Sequence, residues 1–383
     1  MNNFVFQNPT KLIFGKGMIA QLSTEIPTTK KVLITFGGGS VKKNGVYEQV
    51  KEALANHDVT EFWGIEPNPA VETLREAIDL GKRLKADFVL AVGGGSVIDG
   101  SKLIAAGIAY DGDAWDLVKN NALAKHTVDL GAVLTLPATG SEMNSGAVIS
   151  NLEKQEKLVF GSPTSFPKFS ILDPQVTYSL PKFQLGCGIV DTFVHIMEQY
   201  MTFPSNSMVM DRWAEGLLQT LVTLAPRIME DQTNYDVMSN FMLTATMALN
   251  GFIAMGTPQD WATHMIGHEL TAFKGITHGV SLAIVYPSML QVMINDKMDK
   301  LVQYAERVWG ITDGTPEEKA KAAIKKTEQF FRSVNIPTKL SEVDVYEDTV
   351  KDIVFRFKER NTKLGEKQNI DYTIIERILL KSL

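Results

Sequence analysis

Phe88-Val89-Leu90-Ala91-Val92-Gly93-Gly94-Gly95-Ser96-Val97-Ile98-Asp99 decides how the first half of the chain folds. Its five leading apolar residues lack the alternation of a strand with one wet face, and they stop at three glycines. Such a run suits a parallel sheet covered on both sides. From Val97 the pattern turns helical, so the stretch reads strand, tight turn, helix. Val32-Leu33-Ile34-Thr35-Phe36 repeats it before Gly37-Gly38-Gly39-Ser40, and Ala132-Val133-Leu134-Thr135-Leu136 runs into Pro137. Between these runs, 46–56 and 71–85 carry helical spacing, which gives a β-α-β-α rhythm. Phe4-Val5-Phe6 and Lys11-Leu12-Ile13-Phe14, parted by Asn8-Pro9, read as a pair of strands outside that rhythm.

Beyond Asp173-Pro174 the strand signals fade. Helical periodicity then covers roughly 181–202, 207–230, 234–254, 258–273, 279–309, 315–334 and 343–358. Thr257-Pro258-Gln259-Asp260 has the form of a helix start, with Thr as cap and Pro in the first turn. The expected organisation is an α/β domain over 1–180 and an all-helical domain over 181–383.

Composition narrows the function. The chain has 383 residues, 44% hydrophobic and 21% charged, with a formal net charge of −6, which suits a globular protein with large cores. The acidic balance argues against nucleic acid as a partner. No apolar run is long enough to span a bilayer, and Met1-Asn2-Asn3-Phe4 lacks a signal-peptide profile. A soluble cytoplasmic protein is the expectation. The single cysteine, Cys187, excludes an internal disulfide and an all-cysteine metal site.

The glycine turns suggest phosphate binding. A turn without side chains lets backbone N–H groups approach a phosphate, and the following helix N-terminus favours negative charge. Gly94, Gly95 and Ser96 supply this turn, although Ile98 stands where a Rossmann fingerprint has its third glycine. Asp99, in the first helical turn, is placed to cap the helix or to meet a nucleotide amide or hydroxyl. A plain strand-to-helix turn is the alternative. At the end of the preceding strand, NAD-selective folds carry an acidic residue for the ribose 2′-hydroxyl. Here Gly37, Gly38 and Ser40, followed by Lys42 and Lys43, suit a 2′-phosphate better, so NADP(H) is expected. Thr135 and Thr139, in Thr135-Leu136-Pro137-Ala138-Thr139-Gly140-Ser141-Glu142, offer hydroxyls after a third strand.

Four of the six histidines fall in the helical half. Asp191 and His195 are four apart, as are His264 and His268, so each pair shares one helix face. His278, in Thr277-His278-Gly279, lies just before another helix. Burying several imidazoles and a carboxylate among apolar residues is costly without a use. A divalent cation such as Fe(II) or Zn(II) is that use. The spacing alone does not tell which of the four imidazoles are ligands. A zincin needs a glutamate inside H-E-x-x-H, whereas Glu269 follows His268.

Taken in order, Gly93-Gly94-Gly95-Ser96-Val97-Ile98-Asp99, Thr135-x-Pro137-x-Thr139-x-Ser141-Glu142, Asp191-x-x-x-His195, His264-x-x-x-His268 and His278 resemble the iron-containing (group III) alcohol dehydrogenases over essentially the whole chain. Gly37 to Lys43 and Pro258 to His264 resemble the family's NADPH-dependent butanol dehydrogenase and aldehyde reductase branch. The resemblance implies a dehydroquinate-synthase-like α/β nucleotide domain followed by a helical metal domain, with the active site in the cleft between. It implies Asp191, His195, His264 and His278 as metal ligands, with His268 a nearby non-ligand and candidate proton relay. It also implies Gly94, Gly95, Ser96 and Asp99 at the pyrophosphate and nicotinamide side, Thr135 and Thr139 in the adenosine region, and Lys157 near the cofactor. The implied reaction is hydride transfer between NADP(H) and a short apolar aldehyde or primary alcohol of the butanal type. Phe193, Met197, Phe252, Met255, Trp261, Met265 and Phe273, around the metal segments, favour neutral substrates over the anion of a dehydroquinate-synthase-type elimination. Pairing of the opening strands in two copies gives an expected homodimer.

Overall fold

The structure, a computed structural model, describes residues 1–383. Its main sheet has six strands in the order β1-β8-β5-β4-β2-β3, all parallel: β1 (Lys11–Phe14), β2 (Lys31–Phe36), β3 (Asp58–Phe62), β4 (Phe88–Gly93), β5 (Asp129–Leu134) and β8 (Phe169–Leu172). β6 (Gly146–Asn151) and β7 (Glu156–Gly161) form a separate antiparallel hairpin. The continuous apolar runs are the central strands, and β4 is buried along its whole length. Helices α1 (Leu22–Glu25), α2 (Val46–Ala53), α3 (Val71–Leu84), α4 (Gly95–Ile108) and α5 (Ala114–Lys119) belong to this half.

Register fixes what the sheet does. Phe36 pairs with Val92 and Val92 with Val133, so β2, β4 and β5 end at one level. The turns after all three therefore leave the same carboxyl edge, where ligands of open parallel sheets bind.

The helical half contains α6 (Lys182–Tyr200), α7 (Met208–Glu230), α8 (Tyr235–Ala248), α9 (Ala262–Lys274), α10 (His278–Val292), α11 (Met298–Trp309), α12 (Pro316–Ser333), α13 (Glu347–Glu359) and α14 (Tyr372–Lys381). By compactness the chain falls into two units, one of 7–180 with 231–250, the other of 1–6, 181–230 and 251–383. Side-chain contacts explain the two exchanged pieces. On α8, the Thr246 hydroxyl donates to Glu142 Oε1 (2.6 Å), and Asn144 Nδ2 donates to Leu249 O (3.1 Å). At the other end of the chain, Asn2 N–H donates to Gly256 O (2.9 Å) and the Phe6 ring meets Phe252 edge-on.

Several local expectations are corrected. Phe4–Phe6 is not a strand, so the expected strand pair is absent, and Lys11–Phe14 is instead the edge strand of the parallel sheet, beside β8. Thr257-Pro258 does not start a helix. α9 begins at Ala262, because Trp261 takes a left-handed conformation (φ 63°) and the Asp260 carboxylate caps Ala262 N–H (2.8 Å). The span 279–309 is two helices broken over 293–297, and α14 went unforeseen.

Candidate metal centre and cofactor turns

α6 carries the first candidate donors and is buried from Leu185 to Tyr200. It places Asp191, His195 and Glu198 at i, i+4 and i+7 on one face. α9 brings His264 to that face, and α10 brings His278 as its first residue. The approach of α10 needs Gly279, since a Cβ there would lie 2.6 Å from Cys187 O, one helical turn before Asp191.

One donor atom from each of Asp191, His195 and His264 lies within 4.8 Å of the others, and all three residues are buried. Asp191 Oδ1 stands 3.7 Å from His195 Nδ1, 3.8 Å from His264 Nε2 and 3.4 Å from His278 Nε2. The His195 and His264 rings stack with centroids 4.6 Å apart. His268 is buried nearby, its ring 6.2 Å from that of His264 and 5.5 Å from that of His278, outside the three-donor cluster. Glu269 is taken by Arg356 (2.8 Å) and Arg360 (2.6 Å), which leaves it unsuited to act as a general base.

Glu198 lay outside the sequence-based expectation. Its Oε2 pairs with His264 Nδ1, and its Oε1 accepts Thr263 N–H (2.7 Å). A carboxylate on the far nitrogen fixes the ring's orientation and tautomer, the usual support of a metal-bound histidine. His264 Nε2 is buried with no hydrogen-bond partner and faces Asp191. Burial works against a charged His264 ring, yet the Glu198 carboxylate, aided by Asp191, raises its pKa to about 9. The one sequence signal for Glu198 is its i+3 spacing from His195, which puts it on the same helix face. An oxygen and two imidazole nitrogens converging on one buried point, one nitrogen having no other partner, fit a divalent cation.

Of the aromatic residues expected around the metal segments, Trp261 stands edge-on to His264 (5.3 Å) and His195 (6.2 Å). Phe193 packs instead on Phe330 and Phe331, and Phe252 stacks on Trp213.

The three turns at the sheet edge form a second constellation. Thr135 N–H donates to Gly93 O (2.9 Å), and a Cβ on Gly95 would lie 2.4 Å from Thr139 Oγ1, so backbone and hydroxyl meet only because residue 95 is glycine. Asp99 serves the fold from within: its carboxylate accepts the Ser141 hydroxyl (2.5 Å) and Val148 N–H (2.8 Å). Burial raises the pKa of Asp99 and lowers that of Lys102 to about 8. The Lys102 ammonium donates to Ser141 Oγ, Asn144 Oδ1 and Gly146 O, tying α4 to the 139–146 turn. Ser96 Oγ accepts Asn68 N–H (3.3 Å), and Lys157 Nζ donates to Asn68 Oδ1 (2.8 Å). Asn68 (φ 57°) was missed, although Asn-Pro is a turn signal. Gly38 and Ser40 are exposed, and Lys42 Nζ lies 4.0 Å over the Trp63 ring.

Comparison with known proteins agrees with this architecture. The iron-containing alcohol dehydrogenase family model matches residues 9–174, and the C-terminal model of the Fe-containing alcohol dehydrogenase family matches 187–383. The NADPH-dependent aldehyde reductase YqhD of Escherichia coli K12 is 48% identical over 99% of both chains. The probable NADH-dependent butanol dehydrogenase 1 of Bacillus subtilis is 42% identical over the full length of both. The crystal structure of E. coli K-12 YqhD superposes with a TM-score of 0.98, covering 100% of this chain and 99% of that one. No helix is long and apolar enough to cross a membrane. The chain belongs to the iron-containing alcohol dehydrogenase family.

Proposed function

We propose that this chain is an NADPH-linked reductase of short apolar aldehydes such as butanal, oxidising the matching primary alcohols in reverse. The observation that carries this is the buried meeting of Asp191, His195 and His264, with Glu198 holding the far nitrogen of His264. Asp191, His195, His264 and His278 would hold one Fe(II) or Zn(II). Such a cation supplies Lewis-acid stabilisation of the developing alkoxide, and the nicotinamide supplies the hydride.

The remaining work falls to the chain. Residues 1–180 carry the cofactor turns and 181–383 the metal ligands. Glu198 takes the Nδ1 side of His264 and so aims Nε2 at the ion, which would displace the Nε2 proton on binding. Trp261 gives the ligand pair an apolar neighbour suited to an uncharged substrate. His268, an imidazole outside the ligand set, relays the proton that the carbonyl oxygen finally takes. Gly94, Gly95 and Ser96 meet the pyrophosphate with backbone N–H groups at the start of α4. Asp99 and Lys157 act on the same side by holding neighbouring turns, and Thr135 and Thr139 line the adenosine side.

NADP(H) is supported by the absence of a carboxylate in Gly37-Gly38-Gly39-Ser40 and by Lys42 and Lys43 beyond it. The name of the 48%-identical relative agrees, whereas that of the 42%-identical relative names NADH. Exposed Phe4, Val5 and Phe6 near the N-terminus support a homodimer. Anaerobic purification, elemental analysis and butanal reduction with each nicotinamide test the proposal. Stoichiometric iron or zinc and a strong NADPH preference are expected; turnover by metal-free protein would contradict it.

A further inference from the structure

Lys297, just before α11, carries a buried ammonium: the residue is 2% exposed. It donates to Asp260 Oδ2 (2.6 Å), to Met201 O (2.8 Å) and to both carboxylate oxygens of Glu366 (3.1 Å each). Removing one cation and two carboxylates from water is expensive, and a buried ion cluster is weak support for stability. The partners of this cluster show what it fixes.

Met201 is the residue on which α6 ends. Asp260 stands between the two ligand helices: its N–H donates to Glu198 O (2.9 Å), and its Oδ1 caps Ala262 N–H at the start of α9. Between them Trp261 is held at φ 63°, a conformation a bulky residue adopts only where its surroundings enforce it. Its indole is thereby laid against His195 and His264. One residue beyond the capped Ala262, Thr263 N–H reaches Glu198 Oε1, and His264 takes the other oxygen. Lys297 thus clamps the end of one ligand helix to the beginning of the next.

We infer that Lys297 is a positioning residue for the metal centre, setting through Asp260 the register in which α6 presents Asp191, His195 and Glu198 to His264. This role rests on the proposal that those residues hold a divalent cation. Lys300 provides an internal comparison. It lies in the first turn of α11 and is 3% exposed, but its ammonium pairs with Asp211 of α7 (2.5 Å) and lies over the Tyr200 ring, with no bond to α9.

The test uses full-length protein stripped of metal and titrated with Co(II), read by its dissociation constant and visible ligand-field spectrum. Lys297→Met is expected to weaken Co(II) binding about 10- to 100-fold, as loss of outer support for a ligand does, and to shift the bands. The Kd for NADPH should stay within about twofold. Lys297→Arg should recover part of the affinity, and Lys300→Met should leave both Co(II) readouts near wild type even where it lowers Tm. If Lys297→Met does not fold, Asp260→Asn should give a smaller loss of the same kind, about 3- to 10-fold. Wild-type Co(II) affinity and spectrum in Lys297→Met, or in Asp260→Asn if that is the variant that folds, would overturn the role. Equal changes in Lys300→Met would do so too. Failure of the wild type to bind Co(II) would instead remove the metal reading itself.

Discussion

The proposed metal centre and the proposed cofactor turns are built from opposite materials. At the centre, side chains on regular helices converge: Asp191 and His195 from α6, His264 from α9, and Glu198 behind His264. At the sheet edge, three loops leave side by side because β2, β4 and β5 end at one level, and what they offer is mainly backbone and small hydroxyls. A side-chain site fails when one donor is removed. A backbone site fails when something is added.

The sharpest break in that comparison is His264→Ala. It removes a ligand and leaves Glu198 buried without its partner. Turnover of butanal should fall at least about 1000-fold, equivalent to losing several kcal/mol of Lewis-acid stabilisation. Metal content should drop while NADPH binding, measured by fluorescence, persists.

The complementary break is Gly95→Ala. Its Cβ would meet Thr139 Oγ1 at 2.4 Å and Cγ2 at 2.5 Å, so the turn must open. NADPH affinity should fall about 10- to 100-fold, the cost of overpacking a tight contact, with metal content unchanged. Thr139→Ala in the same chain should restore part of the affinity, and equal losses in single and double variants would contradict the contact.

A third variant grades the two sites on one scale. Adding a carboxylate at Gly38, where a Cβ meets nothing within 4 Å, tests cofactor choice without strain, whereas Gly37 faces Ile65 O at 3.3 Å. Gly38→Asp should move the NADPH to NADH preference several-fold towards NADH, by repelling a 2′-phosphate and accepting a 2′-hydroxyl. An unchanged ratio of kcat/KM values would remove the 2′-phosphate argument.

The smallest effect concerns Cys187. Burial, and to a lesser degree Asp191, pushes its thiol up to about 12, so it stays protonated through the neutral range and is a poor nucleophile. Alkylation of native protein by iodoacetamide should be slow, with a rate that climbs about tenfold per pH unit between 7 and 9 and reaches no plateau there. A thiol titrating in that window would contradict the packing of α10 on α6.

The two regions also differ in how far they were legible. Parallel strands announce themselves through unbroken apolar runs, so β2, β4, β5 and the glycine turns stood out. Lys11–Phe14 was also legible as a strand, but its place was not: it joins the sheet through β8, whose residues lie more than 150 positions away. At the metal centre, the pairs at four-residue spacing marked Asp191, His195 and His264. Glu198 was hidden because a glutamate on a helix is ordinarily a solvated residue, and only its burial gives it meaning. The start of α9 was misplaced because Thr-Pro is a sound local cap signal, overridden by the Asp260 cap and the left-handed Trp261 just beyond it, with Asp260 held in turn by the distant Lys297. The break at 293–297 falls on Asn295-Asp296, a turn signal outweighed in the reading by the apolar periodicity on either side.

The most direct measurement is reconstitution of chelator-stripped protein with one equivalent of Fe(II) or Zn(II) under anaerobic conditions, following NADPH oxidation with butanal. Activity should return in step with bound ion and saturate at one per chain, while His264→Ala regains neither. Full turnover before any ion is added, or equal recovery by His264→Ala, would contradict the account.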